Sequence, residues 1–345
     1  MVSATNLHME SMTDRTAARL AWTRTSLGDP SLDLQPASSD ASFRSYWRTH
    51  YDGRSWIVMD SPPAKEDPRP WVKIGAQLAD AGLHVPAVYA HDFEQGFLLI
   101  EDLGNRLYLS ELNDTNADAL YRDAMNALLL MQTRMAYRDL PPFDRSVLAL
   151  GLEVMPEWFL KRHLEHTPDG TEQQVLEAAF EVVIQNAEVQ PRCFVHRDFH
   201  SRNLLVVDDN NPGVIDFQGA LAGPITYDLA SLLRDAYIAW PRARVESWVE
   251  SYRLRLRDVG AIGDDVGAEQ FLRWFDLTGL HRHVRVLGQF YRLWYRDGKP
   301  GYLTDVPRVY QYVISVARSY SELHAFADLI ECHAEGRDLT QVRRA

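Results

Sequence analysis

A chain of 345 residues with 46% hydrophobic and 24% charged residues has room for two lobes, each burying a core of its own. Its formal net charge of −12 argues against a general nucleic-acid or anionic-membrane binder, which needs a basic face to neutralise phosphates. Two distant cysteines, Cys193 and Cys332, show no metal-ligand spacing and suit a reduced, cytoplasmic protein. No stretch reaches the ~18 uninterrupted apolar residues of a membrane span, and the first residues lack the apolar core of a signal peptide.

In chain order, residues 13–26 read as an amphipathic helix with Leu20, Ala21 and Trp22 inward, and 27–40 break the periodicity with Gly, Pro and Ser. Two β-like runs, 41–50 and 55–61, flank Asp52-Gly53, a hairpin signal. Residues 69–84 give a helix ending near Gly82, and 85–104 give two more strands around Glu94-Gln95-Gly96. From 107 onward helices dominate: 107–137, 156–166 and 171–189, then two further long ones toward the end. They are interrupted by a short strand, 192–195, a polar loop, and a second tight hairpin over 204–217. The expected division is a β-rich lobe, 1–102, and a mostly helical lobe, 103–345, with a cleft between them.

The polar loop 195–203, "VHRDFHSRN", packs two His, two Arg, an Asp, a Ser and an Asn into nine residues. Asp216, in "VIDF", follows Asn203 by thirteen residues, and a tight hairpin sets the two side by side at its open end. A carboxamide and a carboxylate are hard oxygen ligands suited to Mg²⁺, while Asp198 can orient a hydroxyl or accept its proton. That is the equipment of phosphoryl transfer, where positioning and charge do most of the work. Two other readings compete with it. An Asx-rich turn satisfies its own backbone with the same residue types. A metallohydrolase would use His196, Asp198, His200 and Asp216 as ligands, but leaves the Asn and the preceding β,β,α,β,β lobe without a role.

The pattern H-R-D-x-x-x-x-N followed by "DFQ" resembles protein kinases, with His200 where their loop carries a lysine. "HRDFHSRNLLV…VIDFQGALAGPITYDLASLLRD" is similar to the aminoglycoside phosphotransferase and choline kinase superfamily. Within it the chain most resembles the bacterial anomeric kinases of N-acetylmuramate and N-acetylglucosamine, through "DASFRSYWR" at 40–48, "VMDSPP" at 58–63 and the run 223–241. The resemblance spans about residues 12–335. It implies an α+β, protein-kinase-like two-lobe fold and an ATP- and Mg²⁺-dependent cytoplasmic enzyme that makes a sugar 1-phosphate for cell-wall amino-sugar recycling. No nucleic-acid, membrane or obligate protein partner is implied. Aminoglycoside- or choline-type acceptors, or an inactive nucleotide-binding module, are the alternatives.

By the same resemblance Asp198 is the catalytic base, Asn203 and Asp216 hold Mg²⁺, His196 braces the loop, and Asp228 supports it from below. Adenine meets backbone groups of Glu101 and Leu103, and Ser38, Ser39, Asp40, Ala41 and Ser42 form the phosphate-covering turn through backbone N–H groups. Two departures stand out: Met59 occupies the place of the strand lysine of protein kinases, and the helix after it has no Glu. Arg44 is the candidate replacement cation, with Lys73 behind it. Candidate acceptor residues are Arg234, Asp235, Tyr237, Trp240 and Arg282. Between 271 and 299, six Arg/Lys (Arg273, Arg282, Arg285, Arg292, Arg296, Lys299) face only Asp276 and Asp297, a local excess that suits an anionic acceptor.

Overall fold

The computed structural model describes residues 4–39 and 43–341. The chain divides into two compact units, one of residues 1–106 with 205–218, the other of 107–204 with 219–345.

The first unit is a five-stranded antiparallel sheet of order β1-β2-β3-β5-β4 with two helices. Its elements are α1 (Ala4–Leu27), β1 (Gln35–Ser39), β2 (Ser45–Tyr51), β3 (Arg54–Asp60), α2 (Arg69–Asp80), β4 (Val88–Asp92) and β5 (Phe97–Glu101). Asp52 and Gly53 both adopt positive φ, 51° and 70°, so the β2–β3 hairpin closes with Tyr51 opposite Arg54, as its Asp-Gly signal requires. Strand β1 was not expected. Its sequence, QPASS, has no β-branched or aromatic residue, and Pro36 sits at a shift in its pairing with β2, which an edge strand tolerates.

Asp60 ends β3 buried and accepts from Arg19 (2.8 Å) and Arg15 (2.8 Å), tying α1 to the sheet, while Trp22 packs on Phe97. The buried face of α2 presents Trp71, Ile74, Gly75 and Leu78. The hairpin after β7 (Leu204–Leu205) is looser than expected: only Gly213–Val214, β8, pairs with it. Asn210 at positive φ and Pro212, which has no N–H to donate, end the ladder early.

The second unit is helical around α9 (Ala268–Asp297), reached through α3 (Tyr108–Glu111), α4 (Ala117–Arg134), α5 (Arg145–Leu152), a π-helix (Pro156–His163), α6 (Gly170–Glu188), α7 (Tyr227–Leu233) and α8 (Arg242–Asp258). A 3-10 turn (Pro300–Asp305), α10 (Val306–Ser319) and α11 (His324–Ala334) follow, so several helices close the chain where two were expected. Strand β6 (Arg192–Val195) pairs with β9 (Leu221–Pro224), a strand whose sequence, LAGP, carries no β signal. Expected as one helix, 107–137 breaks because Asn113 caps its own turn, its side chain accepting from Thr115 and Asn116. Gly288 lets α9 pass the backbone of Val154, which a Cβ would meet at 2.5 Å. Among the described residues, no helix is long and apolar enough to cross a membrane.

Glu172 joins two parts of this unit. It closes the capping box of α6 with Asp169 and accepts from His166 (2.7 Å) and His333 (2.8 Å), whose rings stack at 3.5 Å. The Asp169 N–H and then the His333 and His166 bonds hold its carboxyl down at about 2, against 4.5 for an ordinary Glu. A depressed carboxyl contributes stability that is present above the unfolded value and lost as pH falls through the folded one. Urea unfolding should therefore show the wild type losing stability between pH 4.5 and about 2 more steeply than Glu172→Gln, which keeps a capping amide but lacks the charge. At pH 7 the variant should be weaker by ~1 kcal/mol.

Candidate active site

In the second unit the loop 196–203 leaves β6 and is held by carboxylates from both ends of α7. Asp228, in the first turn and without exposed surface, accepts the backbone N–H groups of His196 (2.6 Å) and Arg197 (2.9 Å). Burial pushes the Asp228 carboxyl up, against the opposing pull of His196, Arg282 and the two N–H groups. Asp235, just past the other end, accepts the backbone N–H and hydroxyl of Ser201 and the N–H of Tyr237. Arg197 has φ 81°, a left-handed conformation that costs a non-glycine residue ~1–2 kcal/mol. Its N–H on Asp228 and its carbonyl under Arg282 Nη1 (2.6 Å) hold it there.

The strained turn presents Asp198. The Asp198 carbonyl accepts from the His200 N–H (3.1 Å) and from the Asn203 side-chain amide (2.9 Å), so the carboxamide oxygen is the end of Asn203 suited to ligate a cation. Burial raises the Asp198 carboxyl, yet Arg285, His200, Arg282 and Arg197 together outweigh it and hold the group below the ordinary Asp value. Arg285 is itself raised despite burial, by Tyr227 and Asp198. The sequence marks Arg285 only as one of several cations on a basic helix face. Its spacing of three from Arg282 is the signal that aims both at one loop.

In the first unit Asp216 also has positive φ, 66°, and Phe217 beside it is buried. The Phe217 ring lies 5.0 Å from that of Trp71 on α2, and Gly75 makes room for it, since a Cβ there would meet the ring at 3.2 Å. Arg44, 6% exposed, donates from Nη2 to Asp216 Oδ1 (3.2 Å) and has its Nε 3.5 Å from Glu66. Gln218 donates to the same Asp216 oxygen at 2.8 Å. Glu66, in the loop before α2, is a partner the sequence reading missed, because a search for a Glu inside the helix passes over it. Met59 is fully buried in the sheet, and Lys73 lies on the exposed side of α2.

The remaining candidates divide by environment. Glu101 holds His84 (3.2 Å) and the Ala87 N–H (3.2 Å), and Leu103 packs close to Gly213. Ser38 and Ser39 pair with Tyr46 and Ser45 in the sheet, while Asp40, Ala41 and Ser42 lie outside the described residues. Arg234 is buried 3.6 Å from Asp276, and Trp240 donates to the Tyr121 hydroxyl (2.8 Å) beside Trp248. Both are engaged in the scaffold, as Asp235 and Arg282 are in bracing the loop. Tyr237 stands against the loop itself, its ring 5.5 Å from that of His200.

Comparison with known proteins adds to this geometry. Residues 33–264 match the phosphotransferase enzyme family. The chain is 43% identical over 309 residues to an N-acetylmuramate/N-acetylglucosamine kinase of Pseudomonas aeruginosa, covering 90% of this chain and 91% of that one. It is 38% identical over 307 residues to a kinase of the same name from Neisseria meningitidis, covering 88% and 91%. Among solved structures, an aminoglycoside phosphotransferase superposes with a TM-score of 0.60 at 17% identity, over 88% of this chain and 99% of that one. Plasmodium vivax ethanolamine kinase gives 0.58 at 13% identity, over 83% and 82%. These structural likenesses are of fold, and they bear out the expected α+β, protein-kinase-like architecture.

The field around Asp198 sets a test of its own. With the carboxyl held below the ordinary range, a reaction that needs it ionised keeps its rate to low pH, and the loss appears only as pH falls through the depressed value. Arg285→Met should raise that value, moving the acid limb of the rate–pH profile upward, while Arg285→Lys should move it less. An unmoved limb in the Met variant means Arg285 does not set the charge of Asp198.

Proposed function

Because the chain belongs to the phosphotransferase enzyme family, we propose that it is an ATP-dependent kinase whose acceptors are N-acetylmuramate and N-acetylglucosamine, the sugars named for its Pseudomonas and Neisseria relatives. The γ-phosphoryl group of ATP passes to the anomeric hydroxyl, giving the sugar 1-phosphate and ADP, a product that enters nucleotide-sugar synthesis in the recycling of cell-wall amino sugars. The reaction belongs in the cytoplasm, where ATP is supplied and where free thiols such as Cys193 and Cys332 stay reduced. The observation that carries this reading is Asp198, braced on a strained loop with its carboxyl held below the ordinary value by Arg285, His200, Arg282 and Arg197, in a chain with close kinase relatives over nearly its whole length.

In the proposed mechanism Asp198 orients the 1-hydroxyl for in-line attack and takes its proton as the new P–O bond forms. Asn203 and Asp216 offer a carboxamide oxygen and a carboxylate, a donor set that fits Mg²⁺. Each would offer Mg²⁺ an oxygen ligand, and the ion would supply charge neutralisation to the phosphates. Arg44 takes the place of the absent strand lysine as the phosphate-facing cation, aligned by Asp216 and Glu66 as a kinase lysine is by its glutamate. Nucleotide binding thus falls to the first unit, through Arg44 and the backbone at Glu101, Leu103, Ser38 and Ser39. Acceptor binding falls to the second, near Tyr237.

³¹P NMR of mixtures with Mg-ATP and either sugar should show a phosphate ester at C1. An ester at C6, or transfer only to an aminoglycoside or choline, would replace the acceptor assignment, and ADP-free mixtures would leave a nucleotide-binding module. Asp198→Asn should reduce turnover by at least ~10³-fold with ATP affinity little changed. Loss of ATP affinity instead would move the base elsewhere. Arg44→Met should raise the KM for ATP about tenfold or more, as expected for a lost charge-assisted contact.

A further inference from the structure

Arg202 lies on the loop itself, four residues after Asp198, and is exposed, yet it is not loose. Its guanidinium sits over the Tyr237 ring at 4.4 Å and over the Tyr302 ring at 5.7 Å. Phe290 backs both rings, 6.3 Å from Tyr237 and 5.2 Å from Tyr302, so the platform is part of the packed unit. The same Tyr237 ring abuts His200, which connects the platform to the loop that carries Asp198. Among the described residues Arg202 forms no ion pair. The nearby Asp305 is taken by Arg308 at 2.8 Å.

With two aromatic rings against it and one contact to Tyr237, the guanidinium has its remaining N–H edges to offer. Edges are the part that binds a carboxylate through two parallel hydrogen bonds, and stacking removes the rotamer freedom such a contact otherwise has to freeze. A surface arginine with no function is ordinarily mobile or paired with a neighbouring acid, and this one is neither.

We propose that Arg202, stacked on Tyr237 and Tyr302, is a preformed seat for a carboxylate on the acceptor, and so selects the lactyl-bearing amino sugar over its neutral counterpart. The inference rests on the kinase reading above. N-acetylmuramate and N-acetylglucosamine share the reacting anomeric hydroxyl and the acetamido group and differ in the lactyl ether, which ends in a carboxylate. A contact to that carboxylate is made with one acceptor and has no counterpart with the other. Arg202 acts here as a specificity residue and takes no part in the transfer.

The test compares kcat/KM for the two sugars in wild type, Arg202→Met, Arg202→Lys and Tyr302→Leu, with the full chain and saturating Mg-ATP. The ratio of N-acetylmuramate to N-acetylglucosamine should fall about 10- to 100-fold in Arg202→Met, the span expected for a lost charge-assisted bidentate contact. Arg202→Lys should fall between, since it keeps the charge without the fork, and Tyr302→Leu should shift the ratio the same way by loosening the guanidinium. An equal loss on both sugars, or an unchanged ratio in Arg202→Met, overturns the inference and leaves the kinase reading standing. If wild type turns over neither sugar, the kinase reading fails and this inference fails with it.

Discussion

A carboxylate without access to water organises the chemistry of this chain. Asp228 pays the desolvation penalty of a buried acid and is offset by two backbone N–H groups, those of His196 and Arg197, the residues that lead into Asp198. Without it, the buried His196 N–H would lose its partner, at ~1–3 kcal/mol, and the left-handed turn at Arg197 would lose its restraint. Asp235 applies the same device to Ser201 from the opposite end of α7. One short helix therefore clamps the loop at both of its ends, through side chains reaching backbone groups. Such contacts fix the path of the chain whatever the loop side chains do, which leaves Asp198 free to serve a reaction.

The position bought this way is matched by charge. Four cationic or imidazole side chains surround Asp198, and their summed field overcomes burial to keep it ionised. A carboxylate so stabilised is a weak base, which would be a handicap in a reaction whose barrier is proton removal. In phosphoryl transfer with a loose transition state, the hydroxyl loses its proton late, and orientation matters more than basicity. The electrostatics of Asp198 thus favour the proposed chemistry over a reaction that requires early abstraction of a proton. Asp216 shows a parallel logic in the other unit. Its positive φ is held by Phe217 packed on Trp71 and by donors from Arg44 and Gln218, so backbone strain and side-chain pairing again fall at one candidate carboxylate.

What the sequence made readable were features written locally. Asp52-Gly53 specifies its own hairpin, and the long amphipathic helices declare themselves by period. The spacing of His196, Asp198 and Asn203 marks a loop because all its members lie within one turn of chain. What escaped depends on distant partners. β1 and β9 have no strand-forming residues and exist because β2 and β6 offer them hydrogen bonds. The break after α3 hides in an Asn that prefers its own backbone to the helix. Glu66 and Arg285 are ordinary charged residues until folding sets them beside Arg44 and Asp198, so no motif names them. Arg234 and Trp240 show what a sequence run leaves out, since each has a partner inside the unit, Asp276 for the one and Tyr121 for the other.

The charges follow one rule that reconciles an acidic chain with anionic ligands. A buried guanidinium needs an opposing group, because its desolvation is otherwise uncompensated. Arg44 meets Asp216 and Glu66, Arg285 meets Tyr227 and the field of Asp198, and Arg282 meets a carbonyl. Each cation placed near the chemistry therefore brings acidic or carbonyl company, and local positive charge coexists with a net charge of −12. In the proposed mechanism a phosphate meets Arg44 in competition with the carboxylates already on it, so the strength of that contact depends on the alignment those carboxylates impose. Arg202 departs from the rule because it is exposed: water and the Tyr237 and Tyr302 rings meet its solvation, and the nearby Asp305 pairs with Arg308 instead. In the proposed reading the buried guanidiniums, already engaged by acids and carbonyls, serve alignment, and the exposed one serves recognition.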